Sequence, residues 1–398
     1  MSSSVKLFIK PNDVLFFRDG RPFDAGSDNT ARMVFPPSPT TFYGALRTAI
    51  MSQKNVDFAE LKNSKNLDST LSEIAINANE RTLSISDFGL VRKKGNNFER
   101  LFPVPFDIVK EKDKEKFFIL SPMQNDKVKM NFPNNNLIPL GLKTQNDEIE
   151  PIFESCNDYF LTEPGLKTYL ENEQLDIKHF VKRTDVFLID HRVGIRRDNA
   201  TFSSQEGFLY SLEFACLNKK YNDIKNIESG FIVEVNSQLL KSDNNYLKLL
   251  RLGGESRTAF YEVIENLNEI PKPKDITNRF KLILITPAIF KRGWLPDGIN
   301  EEVENGKKIL KGKLDGLEVK LVSTSVDRYV GIGGWDILEG RSKPLKRAVP
   351  AGSVYFFERI NGKNFNVNEL INRIFMKSIM KDENLRKEGL GLIIIGAW

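Results

Sequence analysis

Residues 83–109 read LSISDFGLVRKK, GNN, FERLFPVPFDIV, and KFFILSP follows at 116–122. Apolar and β-branched residues run up to a Gly95-Asn96-Asn97 turn and resume after it, which predicts a β-hairpin with a further strand behind it. Outward from this stretch the same texture recurs. Val5–Ile9 and Val14–Phe17 precede it, Phe208–Cys216 follows it, and 231–235, 246–252, 280–286, 317–324 and 353–358 repeat it. The chain closes on GLGLIIIGAW, an apolar strand flanked by glycines.

Helical patterns are few and scattered. Ser38 is a natural N-cap and Pro39 suits the first helical position, where its missing N–H is of no consequence. Phe42, Ala45, Leu46, Ala49 and Ile50 then share one apolar face, with Tyr43 and Arg47 off that stripe. Short helices are expected within 55–80 and around 164–174, and an amphipathic helix over 368–380. Strands that outnumber helices without alternating with them predict an α+β fold with antiparallel sheets. A polar stretch at 220–228 suggests two domains, 1–225 and 226–398. The Asn-, Asp- and Pro-rich segment 124–158 reads as a surface insertion, and 24–37 as an irregular loop.

The 398 residues include 29 phenylalanines, most of which must be core, with the remainder available for a permanent partner. Net charge is only +5, so any nucleic-acid contact must come from local concentrations of cations. Cys156 and Cys216 fit neither a disulfide framework nor a zinc ligand set. The N-terminal MSSSVKLFIKPND lacks a signal-like apolar core, and the longest apolar run, Leu392–Ile395, is too short to span a bilayer. A cytoplasmic protein without membrane contact is expected, and no metal or cofactor.

Cations concentrate in four places, each beside turn residues. These are Arg18, Arg21 and Arg32; His191-Arg192-Val193-Gly194-Ile195-Arg196-Arg197; Arg251-Leu252-Gly253-Gly254-Glu255-Ser256-Arg257; and Arg341, Lys343, Lys346 and Arg347 just after Gly331-Ile332-Gly333-Gly334-Trp335. Arginine forks suit phosphate, glycine lets backbone N–H groups approach an anion, and Tyr43, Trp294 or Trp335 offer faces for unpaired bases. That combination is the chemistry of a single-stranded RNA groove. For any one of these cations a solvated surface charge is the commoner role, and for Trp335 half-buried packing is.

Six segments carry a family resemblance: PNDVLFFRDGRPF at 11–23, FPPSPTTFYGALRTAI at 35–50, HRVGIRR at 191–197, LRLGGESR at 250–257, KPLKRAVPAGSVYFFE at 343–358, and the terminal GLGLIIIGAW. In this order they resemble the third subunit of the type III-B CRISPR effector, the Cmr complex, of the RAMP superfamily. The resemblance implies two ferredoxin-like, RRM-type modules facing each other across a cleft. It implies a glycine-rich loop, here Gly389-Leu390-Gly391, shorter and more aliphatic than the superfamily's usual form. It further implies a non-catalytic subunit that grips the 5′ tag of the CRISPR RNA, docks the large polymerase-palm subunit and adjoins RAMP backbone subunits.

On this reading Arg18, Arg21, Arg192, Arg196, Arg197 and Arg257 contact phosphates, with Lys343, Lys346 and Arg347 as further contacts. Ser38, Thr40, Tyr43 and Arg47 line the same cleft at the first helix N-terminus, where the dipole favours an anion. The rival is a metal-independent RAMP endoribonuclease processing CRISPR repeat RNA, which needs a general base and a charge-stabilising cation. Of the two histidines, His179 and His191, only His191 sits among arginines, and SPTTFYGALRTAI has none. A scaffold that touches only protein would account for the phenylalanines but not for the four basic clusters.

Overall fold

The structure is a computed structural model that describes residues 4–18, 30–53, 55–57, 83–123, 137–142, 152–217, 227–236, 240, 248–336 and 339–398. Arg21, most of the first half of the 24–37 loop, nearly all of 55–80 and most of the 124–158 segment lie outside these residues, as does 220–226 of the expected domain junction.

The opening hairpin forms as read, with β2 (Ile85–Lys94) paired antiparallel to β3 (Asn97–Pro103) across the glycine turn. Together with β1 (Val5–Pro11), β4 (Tyr159–Thr162) and β5 (Phe180–Lys182) they build most of an eight-stranded sheet. Next along the chain is a long hairpin, β6 (Phe187–Arg197) and β7 (Ser204–Leu217). β8 (Ile227–Val235), β9 (Leu249–Arg251) and β10 (Thr258–Ile264) then return to the first sheet, whose order is β5-β4-β3-β2-β8-β1-β10-β9. Six strands make the second sheet: β11 (Arg279–Leu284), β12 (Ile299–Glu304), β13 (Lys307–Leu314), β14 (Leu317–Ser325), β15 (Val354–Arg359) and β16 (Ile393–Gly396). Its order is β12-β13-β14-β15-β11-β16. Every pairing within the two sheets is antiparallel, so the expected α+β class holds.

The same arrangement occurs in both sheets. In the first, β1, β2, β8 and β10 stand in the order β10-β1-β8-β2, which is 4-1-3-2 in chain sequence. In the second, β11, β14, β15 and β16 stand as β16-β11-β15-β14, again 4-1-3-2. The sheets change over between Ile264 and Arg279, later than the expected boundary at 225, because β8 and β10 hydrogen-bond to β1. Residues 95–226 are therefore an insertion between the second and third of those strands.

α1 (Pro39–Gln53) starts where its cap predicts and lays Phe42 against Phe88 and Phe231, with ring centroids 5.0 and 4.8 Å away. Its buried face is wider than the five-residue stripe and takes in Tyr43 and Met51. α2 (Glu163–Leu170) is capped by Thr162, whose Oγ1 accepts the Gly165 N–H and donates to the His179 carbonyl. α3 (Val367–Ile374) is capped by Asn366 and ends earlier than 380. Met376 turns to φ +54° and donates its N–H to the Ile393 carbonyl, so pairing with the last strand replaces the last turn of helix.

One apolar core joins the insertion to the second sheet. It includes Phe102, Ile108, Phe117, Tyr169 and Phe180 together with Phe280, Leu282, Tyr355, Phe357 and Ile394. At its centre Lys281 of β11 is fully buried, with Nζ 3.6 Å from Asp107 Oδ2 and 3.5 Å from the centre of the Tyr169 ring. The Tyr169 hydroxyl reaches both Asp107 oxygens, at 2.7 and 2.8 Å. Burial holds Lys281 down at about 8 despite the opposing pull of Asp107, and pushes the Asp107 carboxyl up. Among the described residues no helix is long and apolar enough to cross a membrane.

Removing one member of this group strands the other charge. Lys281→Met is expected to lower stability by about 3–5 kcal/mol in urea denaturation, and Asp107→Asn/Lys281→Met by less than the sum of the two single changes. Additive losses would show that Asp107 and Lys281 are not coupled.

Candidate nucleic-acid interface

The hairpin β6–β7 leaves the body as an arm. Leu188–Ile195 pairs with Leu209–Cys216, and a bulge separates Ile195 from Arg197, which pairs with Ser204. Alternation gives the arm two faces. One face carries Ile189, His191, Val193 and Ile195 beside Leu209 and Glu213, and its apolar side chains are exposed, Val193 by 70%. The other carries Asp190, Arg192, Gly194, Tyr210 and Phe214. Gly194 is mid-strand rather than in a turn, and the Tyr210 ring occupies the space a Cβ would need.

At the root of the arm three predicted clusters converge. Phe214 is buried against Phe16, with ring centroids 5.1 Å apart. Arg192 and Arg257 both stand over the Phe214 ring, at 4.8 and 4.9 Å. Arg192 Nε and Nη2 donate to Asp190 Oδ2 at 3.0 and 2.8 Å, and Arg257 pairs with Asp13 at 3.7 Å. Arg257 gets there because Gly253, at φ +79°, folds LRLGGESR onto Phe16, where the Gly254 N–H donates to the Phe16 carbonyl. Arg18 is exposed and bridges to Met33, whose N–H donates to Glu213 Oε2 of the arm. Toward the tip Arg196 and Arg197 are exposed, and Arg197 stands 5.0 Å from the Phe202 ring, itself 70% exposed. This strand was not read from the sequence, although the period-two pattern of Ile189, His191, Val193 and Ile195 marks it. The His191 imidazole faces Glu213, with Nδ1 3.9 Å from Oε1.

A second place forms where α1 begins. Ser38 and Thr40 hydroxyls lie 2.9 Å apart there. Gly389, at φ +85°, packs so closely that a Cβ would stand 2.9 Å from Ile85 and 3.2 Å from Pro39. Gly391, at φ +72°, leaves no room beside Met380 and Ser378, and its N–H donates to the Pro287 carbonyl. The short GLG segment thus seats the second sheet's last strand against α1 and β2. Beside it opens a cleft of about 390 Å³ lined by Ser84, Ser86, Ser378, Lys377, Arg386 and Lys387, with Glu383 as its acidic member. Sequence reading missed all of these, since the serines at 84 and 86 and the cations at 377–387 come from opposite parts of the chain.

Tyr43 corrects an expectation. It is only 5% exposed, inside the core with Phe42 and Leu46, so its ring offers no face to a base. Arg47, one turn on, is half-buried, and its Nε has no hydrogen-bond partner among the described residues. Lys343, Lys346 and Arg347 are exposed on a separate β-lobe of the second sheet. Trp335 is 58% exposed rather than packed. Among the described residues no group of three His, Cys, Asp or Glu side chains could hold a metal ion.

A family profile described as CRISPR-associated protein (Cas_Cmr3) matches residues 7–398. Among curated proteins none matches. Among solved structures, the chain is similar to one in a cryo-EM structure of the type III-B Cmr-beta complex bound to cognate target RNA, at 17% identity and TM-score 0.47, over 88% of this chain and 86% of that one. It is also similar to a chain in a crystal structure of the Csm3-Csm4 subcomplex of the type III-A CRISPR-Cas interference complex, at 12% identity and TM-score 0.35, over 91% and 98% of the two chains.

Gly253→Ala would place a methyl group 2.5 Å from the Phe16 carbonyl oxygen at a left-handed φ. It is expected to lower stability by more than about 1 kcal/mol in chemical denaturation. An unchanged midpoint would show that the loop does not fix Phe16 and Arg257.

Proposed function

Since the chain belongs to the Cas_Cmr3 family of CRISPR-associated proteins, we propose that it is a non-catalytic, RNA-binding subunit of a type III-B CRISPR effector that holds the 5′ tag of the CRISPR RNA. Each sheet holds four strands in 4-1-3-2 order, the order a ferredoxin-like module would have, which supports a frame of two such modules. The observation that carries the reading is the cleft beside Gly389–Gly391. Lys377, Arg386 and Lys387 supply charge for phosphates, Ser84, Ser86 and Ser378 supply hydroxyls, and the N-terminus of α1 adds its dipole nearby.

The arm offers a second surface. Arg196 and Arg197 with Phe202 combine phosphate-binding forks and an aromatic face at one tip, the pairing that single-stranded RNA recognition uses. Arg18, Arg192 and Arg257 hold its root, two of them already engaged with carboxylates and the Phe214 ring. The exposed apolar stripe of Ile189, Val193, Ile195 and Leu209 suits protein neighbours, and docking to the large polymerase-palm subunit and the RAMP backbone subunits of a cytoplasmic particle belongs to the same reading. His191 faces the Glu213 carboxylate, and the endoribonuclease alternative would use it as the general base.

The test is crosslinking in the assembled complex with photoreactive tag nucleotides. Tag nucleotides are expected to crosslink within Met376–Leu392, and the absence of any tag crosslink to this subunit would sink the proposal. Arg386→Glu/Lys387→Glu should weaken tag RNA binding by the purified chain by about tenfold or more at 0.15 M salt and flatten the salt dependence by about two phosphate contacts. Site-specific cleavage of repeat RNA, lost in His191→Ala, would favour the enzyme instead.

A further inference from the structure

The second sheet carries its own insertion at the joint where the first carries the arm. Between β14 and β15 the chain makes a small lobe in which Val330–Ile332 pairs with Lys346–Ala348 and Trp335–Asp336 with Arg341–Ser342. Two large aromatics stand out of it, Tyr329 at 60% and Trp335 at 58% exposure. Burying either would be favourable, so leaving both in solvent needs a reason. The Arg347 guanidinium lies 4.7 Å from the Tyr329 ring centre.

Charge around these rings is one-sided. Residues 327–347 hold five basic and three acidic side chains. Glu339 pairs with Arg341 at 3.6 Å, while Asp327 accepts the Arg328 N–H and Asp336 the Glu339 N–H. Lys343, Lys346 and Arg347 are exposed and face no carboxylate among the described residues.

The registers fix where the lobe emerges. Ser325 pairs with Val354, Val354 with Ile283, and Leu284 with Ile393, so the lobe and the GLG segment leave the same end of the sheet. The loop between them carries Trp294, partly exposed and tied at its carbonyl by the Tyr355 hydroxyl, and it joins the lobe through the Ala288–Val349 bridge.

We propose that Trp294, Tyr329 and Trp335, with Lys343, Lys346 and Arg347, form a base-stacking platform for single-stranded RNA that continues the cleft beside Gly389–Gly391. The proposal rests on the RNA-binding reading above and extends it to a second set of residues. Stacking explains the exposed rings, and unpaired cations explain how the backbone is held alongside them.

The experiment measures binding of the full-length chain to a fluorescent single-stranded RNA of about 15 nucleotides across a salt series. Tyr329→Ala/Trp335→Ala is expected to weaken binding by about tenfold or more at fixed salt while leaving the salt slope unchanged. Lys343→Ala/Lys346→Ala should instead reduce the slope by about two. Both pairs are exposed, and unchanged thermal unfolding confirms that they fold. Tyr329→Phe/Trp335→Phe should restore most of the affinity. If the aromatic pair binds RNA like the parent while Arg386→Glu/Lys387→Glu loses it, the platform is overturned and the cleft reading stands. If neither pair matters, both fall. If the aromatic pair keeps RNA but no longer assembles with the other subunits, the lobe is a protein interface and the platform is overturned.

Discussion

Lys281 carries its ammonium to the middle of the second sheet with no solvent exposure, and much of the molecule's packing offsets that placement. An isolated buried charge is among the most unfavourable features a core can contain. Here the compensation comes from outside the second sheet: Asp107 lies at the start of the insertion, and Tyr169 on α2 both bonds the carboxylate and covers the ammonium with its ring. The insertion therefore cannot detach from the second sheet without uncovering a charge. The continuous apolar core from Phe102 to Ile395 is built around this contact. β6 follows α2 and β5 of the insertion in the chain, so the arm starts beside this core.

This coupling was not legible in the sequence. Asp107 and Lys281 are 174 positions apart, and nothing local marks a lysine in RFKLIL as buried. Local signals did better. The Gly95 turn, the Ser38-Pro39 start of α1 and six strands between Phe208 and Phe357 could be read because period and turn chemistry are short-range properties, whereas Thr258–Ile264, Ile299–Glu304 and Lys307–Leu314 were not read. Misreadings arose where a tertiary contact overrode local preference. Phe375 and Met376 continue an amphipathic pattern but pair with Ile393 instead. Tyr43 sits off the five-residue stripe and is buried because β-strands pack on a wider arc of α1 than the stripe shows.

For the candidate interface the same division applies. The arginine clusters were visible, and three of them do meet around Phe214 and Glu213. Yet two of those arginines already pair with carboxylates, Arg192 with Asp190 two residues away and Arg257 with Asp13, whose distance along the chain hides it. The cleft residues escaped notice because Ser84 and Ser86 come from one end of the chain and Lys377 to Lys387 from the other. A modest net charge of +5 still permits a locally basic surface, since residues 327–347 alone hold five basic against three acidic side chains.

The two insertions share an address. Each enters the chain at the hairpin joint between neighbouring antiparallel strands, Lys94 to Ile227 in one sheet and Ser325 to Val354 in the other. Such a joint presents two chain ends about 5 Å apart and takes no part in the crossovers that carry α1 and α3. Any unit whose own ends meet can be spliced there without altering the order of the sheet, and the entropy of closing a longer loop grows only logarithmically. A fold of this kind works as a socket with two ports. What is plugged in can lengthen, shorten or change its chemistry over evolutionary time, while the strands that hold it keep their register.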